Sequence, residues 1–104
     1  MILRQFRVTI HEDKSDEFED LFRDHILPLV KRQKGLEWVA AGKPWNGAPN
    51  VFCMTMLWRD LEALKGFAGE DWDKARIEPE EAHLIQATNL EHFELLGSAG
   101  AAAP

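Results

Sequence analysis

From Ile2 to Ile10 the chain alternates: Ile2, Phe6, Val8 and Ile10 share one face with Arg4, while Leu3, Gln5, Arg7 and Thr9 share the other. A period of two over nine residues is the pattern of a strand. After Asp13 and Ser15, either of which can cap a helix, Phe18, Leu21, Phe22, His25, Ile26, Leu29 and Val30 recur at helical spacing until Gly35. The spacing predicts a long amphipathic helix, acidic in its first turn and bent near Pro28, whose ring cannot join the regular backbone pattern. Leu36 to Ala41 and Val51 to Trp58 read as the second and third strands. The loop between them, Lys43 to Asn50, is dense in turn formers around Asn46-Gly47 and should make them an antiparallel hairpin. In the third strand Phe52, Met54, Met56 and Trp58 take one face and Val51, Cys53, Thr55 and Leu57 the other, so both faces call for cover.

Asp60 can cap a second helix that turns Leu61, Leu64 and Phe67 inward and fades at Gly66 and Gly69. A short helical turn around Trp72, over Asp71 to Arg76, follows, then a turn at Pro79 to Ala82 and a long final strand from His83 to Leu96. Strand, long helix, strand, strand, short helix, strand is the split βαβ order of an α+β, ferredoxin-like fold, with both helices on one face of a four-stranded antiparallel sheet. The other face, carrying Leu3, Val51, Cys53 and Leu57, is too apolar to be left to water, so a second identical chain is expected to cover it.

At 104 residues, 45% apolar and 29% charged, the composition fits one folded domain, read as residues 1–96 with a frayed Ala/Gly-rich tail at 97–104. A chain of this size has no room for a deep cleft between lobes, so any large cavity must lie between layers or be shared with a partner. Twelve Lys and Arg against eighteen Asp and Glu give a charge of −6, which disfavours nucleic acid and anionic membranes as partners. Cys53, the one cysteine, allows neither an intrachain disulfide nor a Cys-based zinc site and points to the reducing cytoplasm. Arg4, Gln5 and Arg7 interrupt the first apolar stretch, unlike a secretory leader, and no run approaches the ~18 apolar residues of a membrane span.

Three passages join the element order over residues 2–96: Met56-Leu-Trp-Arg-Asp-Leu-Glu-Ala63; Phe67-Ala-Gly-Glu-Asp-Trp-Asp-Lys-Ala75 with Pro79-Glu-Glu81; and Glu91-His-Phe-Glu94. Together they resemble the antibiotic-biosynthesis-monooxygenase-like group of the dimeric α/β-barrel superfamily. The resemblance implies a homodimer closed sheet to sheet and, for many members, oxygenation of quinol- or anthrone-like aromatics with neither metal nor flavin. A deprotonated, electron-rich phenol can itself reduce dioxygen, so the protein supplies an apolar pocket, a base and a donor for the developing oxyanion. The scaffold also hosts other functions. A non-catalytic module holding a small hydrophobic or haem-like ligand, and an isomerase or lyase acting on a cyclic acid through Arg4 or Arg7, remain open.

Under this reading the catalytic candidates are His25, His83 and Arg4, and the substrate-binding candidates are Phe6, Trp58, Phe67 and Trp72; no cofactor is expected. His25, an imidazole in the inward stripe, could accept a phenolic proton near pH 7, or merely sit at the stripe's edge on a backbone carbonyl. His83 is the auxiliary acid or base. Arg4 is the anion partner, a place Arg7 inherits if the strand slips by one. Trp72 can stack on a planar ligand or pack in the core, with Phe6, Trp58 and Phe67 as wall. His92 is read as facing solvent or the dimer partner. No metal is expected, since His-x-His and His-x₃-His pairs are absent. The haem-degrading branch uses an Asn on the first strand and a Trp and a His about ten residues apart near the second helix. Phe6 replaces that Asn, Gly66 and Arg76 stand where the Trp and His would be, and Trp72 with His83 is one residue too long.

Overall fold

Val8 and Ile10 are buried and Arg7 exposed, so the alternation over Ile2–Ile10 becomes strand β1 with one face on the core. In this computed structural model, which describes residues 1–100, the other strands are β2 (Leu36–Gly42), β3 (Val51–Trp58) and β4 (Ile85–Glu94). The helices are α1 (Ser15–Leu21), α2 (Leu27–Lys31) and α3 (Leu61–Ala68). The end of the tail read as frayed, 101–104, lies outside the described residues. All pairings are antiparallel in the order β2-β3-β1-β4, the ferredoxin-like arrangement, and the helices pack on one face. Phe18, Phe22, Phe52, Met54, Met56, Trp58 and Leu64 form the centre of that core.

The bend read at Pro28 is a π-helical turn, Phe22–Ile26, joining α1 to α2. Proline offers no N–H, and its ring presses on the carbonyl four residues back; one widened turn before it relieves both, with the Leu27 N–H bonding to the Phe22 carbonyl. The widened turn also rotates everything beyond it. The buried stripe runs Phe18, Phe22, then Ile26 and Leu27, then Val30, and His25 is carried out to solvent.

Two capping expectations part company. Asp60 accepts from the Ala63 N–H at 2.9 Å and caps α3 as read. Neither Asp13 nor Ser15 caps α1: Glu12–Lys14 forms a 3₁₀ turn instead, and the Ser15 hydroxyl donates to Asn50 Oδ1 at 2.9 Å. Asn50 Nδ2 in turn donates to the Ile10 carbonyl at 2.8 Å, tying the hairpin loop to the end of β1. Asn46 and Gly47 both have positive φ, 49° and 78°, a conformation these two residue types adopt at little cost. At Gly35, φ 84°, a Cβ would collide with Ala63, so glycine lets the end of the long helical segment approach α3.

The expected helix at Asp71–Arg76 is a simple turn, closed by the Lys74 N–H on the Asp71 carbonyl at 2.9 Å. Its Trp72 and Lys74 carbonyls are taken by Arg4 rather than by a following helical turn. The last strand starts at Ile85 because Ala82–Leu84 is a 3₁₀ turn. On the sheet face away from the helices, register aligns Trp38, Leu57, Leu3 and Phe93 in one row across all four strands. Phe93 is 49% exposed there. No helix among the described residues is long and apolar enough to cross a membrane.

Candidate functional site

Arg4 sits mid-sheet on the helix-facing side of β1, between Met56 of β3 and His92 of β4. It is 2% exposed. Nη1 donates to the Trp72 carbonyl at 2.5 Å and to His92 Nε2 at 2.9 Å; Nη2 donates to the Lys74 carbonyl at 3.3 Å. Its guanidinium carbon lies 6.0 Å from the centre of the Phe67 ring. Every one of these partners is uncharged. Burial pushes its pKa down to about 10, which leaves it a cation at neutral pH. A desolvated cation held only by carbonyls, an imidazole and a π face still attracts an anion strongly, because little water remains to compete.

Arginine can only donate, so His92 Nε2 must carry a lone pair and its proton resides on Nδ1. Burial first, then the neighbouring Arg4 charge, hold the His92 pKa below the ordinary imidazole range, against a smaller opposing pull from Asp73. The ring is therefore neutral at pH 7. Trp72 meets it edge-on at 5.2 Å. Beneath, Phe67 stacks on Trp58 with centroids 5.2 Å apart, and the Arg76 guanidinium covers Phe67 at 4.8 Å while bonding to the Phe67 carbonyl and pairing with Glu78. Trp58 is fully buried with its Nε1–H unpartnered.

An open cavity of about 340 Å³ adjoins this cluster, lined by Met1, Ile2, Leu61, Trp72, His92, Phe93 and Glu94. That volume lies within the ~300–1,000 Å³ range of small-molecule sites. Arg4 bonds to two of its walls, Trp72 and His92. The cavity wall is aromatic and carries a neutral imidazole, and Arg4, which is not itself a lining residue, is tied to that wall through Trp72 and His92.

Of the residues singled out from sequence, Arg4, Phe67, Trp58 and Trp72 come together, and Phe6 lies on the same face of β1, packed against the core. His25 and His83 do not join them. His25 lines an outer cleft with Glu17, Asp20, Leu21, Asp24, Glu80 and Leu84; exposed His83 sits 3.2 Å from Glu17. His92 lies half-buried on the helix-facing side of β4, bonded to Arg4, and not on the free outer surface where the sequence reading put it. Its parity with Leu90 along β4, opposite Arg4 and Phe6, carried that information. Glu81 was missed altogether: it is 2% exposed, its carboxyl accepts only the Glu78 N–H at 2.9 Å, and burial pushes its pKa up to about 7. Nothing in the acidic, Pro-led turn signals that burial. No group of three or more His, Cys, Asp or Glu among the described residues is placed to hold a metal.

Residues 1–75 match the family model described as antibiotic biosynthesis monooxygenase. No curated protein sequence matches the chain. Among solved structures, similar folds include SnoaB, a cofactor-independent oxygenase from Streptomyces nogalater, as its N63A mutant: 18% identity, covering 93% of this chain and 94% of that one, TM-score 0.68. MhuD, a haem degrader from Mycobacterium tuberculosis with two haems in its active site, is 19% identical over 96% of this chain and 100% of that one, TM-score 0.68. NE2512 from Nitrosomonas europaea is 20% identical over 98% and 95%, TM-score 0.73.

Proposed function

The chain belongs to the antibiotic biosynthesis monooxygenase family, and from that premise we propose that it oxygenates a small planar phenol, quinol- or anthrone-like, without a bound cofactor. One observation carries the reading: a buried guanidinium with no carboxylate partner, Arg4, stands beside a neutral imidazole, His92, at the wall of an aromatic cavity. An acidic hydroxyl arriving at Nη1 frees the His92 Nε2 lone pair, which takes the proton as the oxyanion pairs with Arg4. That pairing cancels the positive neighbour that had disfavoured a charged imidazole. The electron-rich anion then passes one electron to dioxygen, and the radical pair joins through a new C–O bond. His92 returns its proton to the peroxide; loss of the remaining C–H proton breaks the O–O bond. One oxygen stays as a carbonyl, the other leaves as water with the two substrate hydrogens, and dioxygen is the only oxidant.

The test is oxygen uptake across a panel of dihydroxyaromatics and anthrones at pH 5–9. His92→Gln is expected to lower kcat by about 100-fold or more and to erase the acid limb of the pH profile. In the wild type that limb should fall below the ordinary histidine pKa of about 6.5. His25→Ala should match the wild type; equal loss in His25→Ala would return the base to His25. Absence of uptake with every member of the panel sinks the reading. A haem-holding module is the weaker alternative, because Phe6 stands where the haem-degrading branch has its Asn, and Gly66 and Arg76 stand where it has its Trp and His.

We also infer a homodimer through the bare sheet face. Trp38, Leu3 and Phe93, in one row with the already buried Leu57, supply its apolar centre, and Phe93 additionally lines the cavity, so a partner lying there would close one wall. Sedimentation at micromolar concentration should give twice the chain mass of 11.9 kDa, with Leu3→Glu shifting it to the monomer; a wild-type monomer overturns the inference.

A further inference from the structure

A second cavity, of about 250 Å³, opens on the far side of the sandwich from His92, between the π-helical turn and the end of the edge strand β2. Its floor is apolar: Phe22, Leu27, Ala41 and Phe52, of which Phe22 and Phe52 belong to an aromatic triad with Phe18. It exists for two local reasons. The π turn spreads Phe22 and Leu27 apart along the helix, and on the helix-facing side β2 contributes only Ala41 where a larger side chain would fill the gap.

The mouth is polar in a particular way. Lys43 Nζ donates to both Glu19 carboxylate oxygens, at 3.3 and 3.4 Å, and Arg23 Nη1 reaches Glu19 Oε2 at 3.5 Å. Arg23 is otherwise spoken for by Asp20 and Asp24. Two cations thus hold one carboxylate at the lip of an apolar recess. These pairs are solvent-exposed, so exchanging Glu19 for a ligand carboxylate costs little, whereas an apolar tail laid against half-buried Leu27 and the already buried Phe22 and Phe52 is itself removed from water. A neutral ligand would forgo the clasp, and an ammonium would meet Lys43 with like charge.

We propose that this recess is a binding site for a small apolar monocarboxylate, tail on Phe22 and Phe52 and head on Lys43, separate from the Arg4 cluster and independent of the reaction proposed there. Two-dimensional NMR titration of the full chain with octanoate, 3-phenylpropionate, octan-1-ol and octylamine tests it. The expected result is saturable binding of the acids with a dissociation constant below about 1 mM, shifts centred on residues 19–27 and 41–43, and at least tenfold weaker binding of alcohol and amine. Lys43→Gln should weaken the acids severalfold, Glu19→Gln should tighten them, and His92→Gln should leave them unchanged. Ala41→Leu, filling the recess, should abolish the shifts; should that variant fold poorly, the Lys43 and Glu19 variants decide. Equal binding of acid and alcohol, indifference to Lys43→Gln, or shifts at Trp72 and His92 overturns the proposal.

Discussion

Arg4→Met is expected to lose oxygenation of the preferred phenol by about 10²–10³-fold in kcat/KM, the usual cost of removing one preorganised donor from a developing oxyanion. Methionine keeps the length and apolar stem of the side chain but has no charge to offer. The variant should still fold: a buried cation without a carboxylate partner contributes little net stability, and apolar replacements of buried charges are often neutral. What does change is the segment 69–81, because the Trp72 and Lys74 carbonyls lose their donor. Faster amide exchange in that segment with a melting temperature within a few degrees of the wild type is the signature sought. Arg4→Lys should recover only part of the rate, since one ammonium cannot reach two carbonyls, His92 and a substrate oxygen in the same fork geometry. Full activity in Arg4→Met, with the fold intact, would remove Arg4 from the chemistry.

Arg4 was legible in the sequence because alternation in a strand is rigid: a charged residue in phase with Ile2, Phe6 and Val8 has nowhere to go but under the helices. The same logic applied to β4 would have found His92, yet Phe93 and Leu95 are apolar in the opposite phase to Leu90, so the clear alternation there does not say which face turns inward. His25 misled for the opposite reason. A period of 3.6 counts correctly only while the helix stays α, and Pro28 forces one wider turn just where His25 stands. The element order and the bare face followed from patterning, since both rest on many residues at once. Cavities and the burial of Glu81 rest on how a loop folds back, which no local period encodes.

Glu81→Gln is expected to flatten the pH dependence of stability between about pH 5 and 8 and to leave the variant more stable than the wild type at pH 8. The sign follows from the raised pKa. In the folded chain burial pushes the Glu81 carboxyl up to about 7, from an unfolded value of 4.5; between these values the folded state binds the extra proton, so stability is fully present below the unfolded pKa and falls as pH rises through the folded one. Glu78 and Glu80 add to the repulsion, while the single Glu78 N–H works against it and Arg76 is committed to Glu78. The loss should approach 1–3 kcal/mol, of the order for burying a charge with one hydrogen bond and no counter-ion. Glutamine resembles the protonated form, and its carbonyl oxygen can still accept from Glu78, so it carries no such dependence. His92 pulls the other way: its depressed pKa makes folding lose stability as pH falls below about 6.5. The comparison must therefore be wild type against variant at each pH, by urea unfolding, where the His92 contribution cancels. Parallel curves for the two proteins from pH 5 to 8 would mean that Glu81 ionises as freely in the folded chain as in the unfolded one.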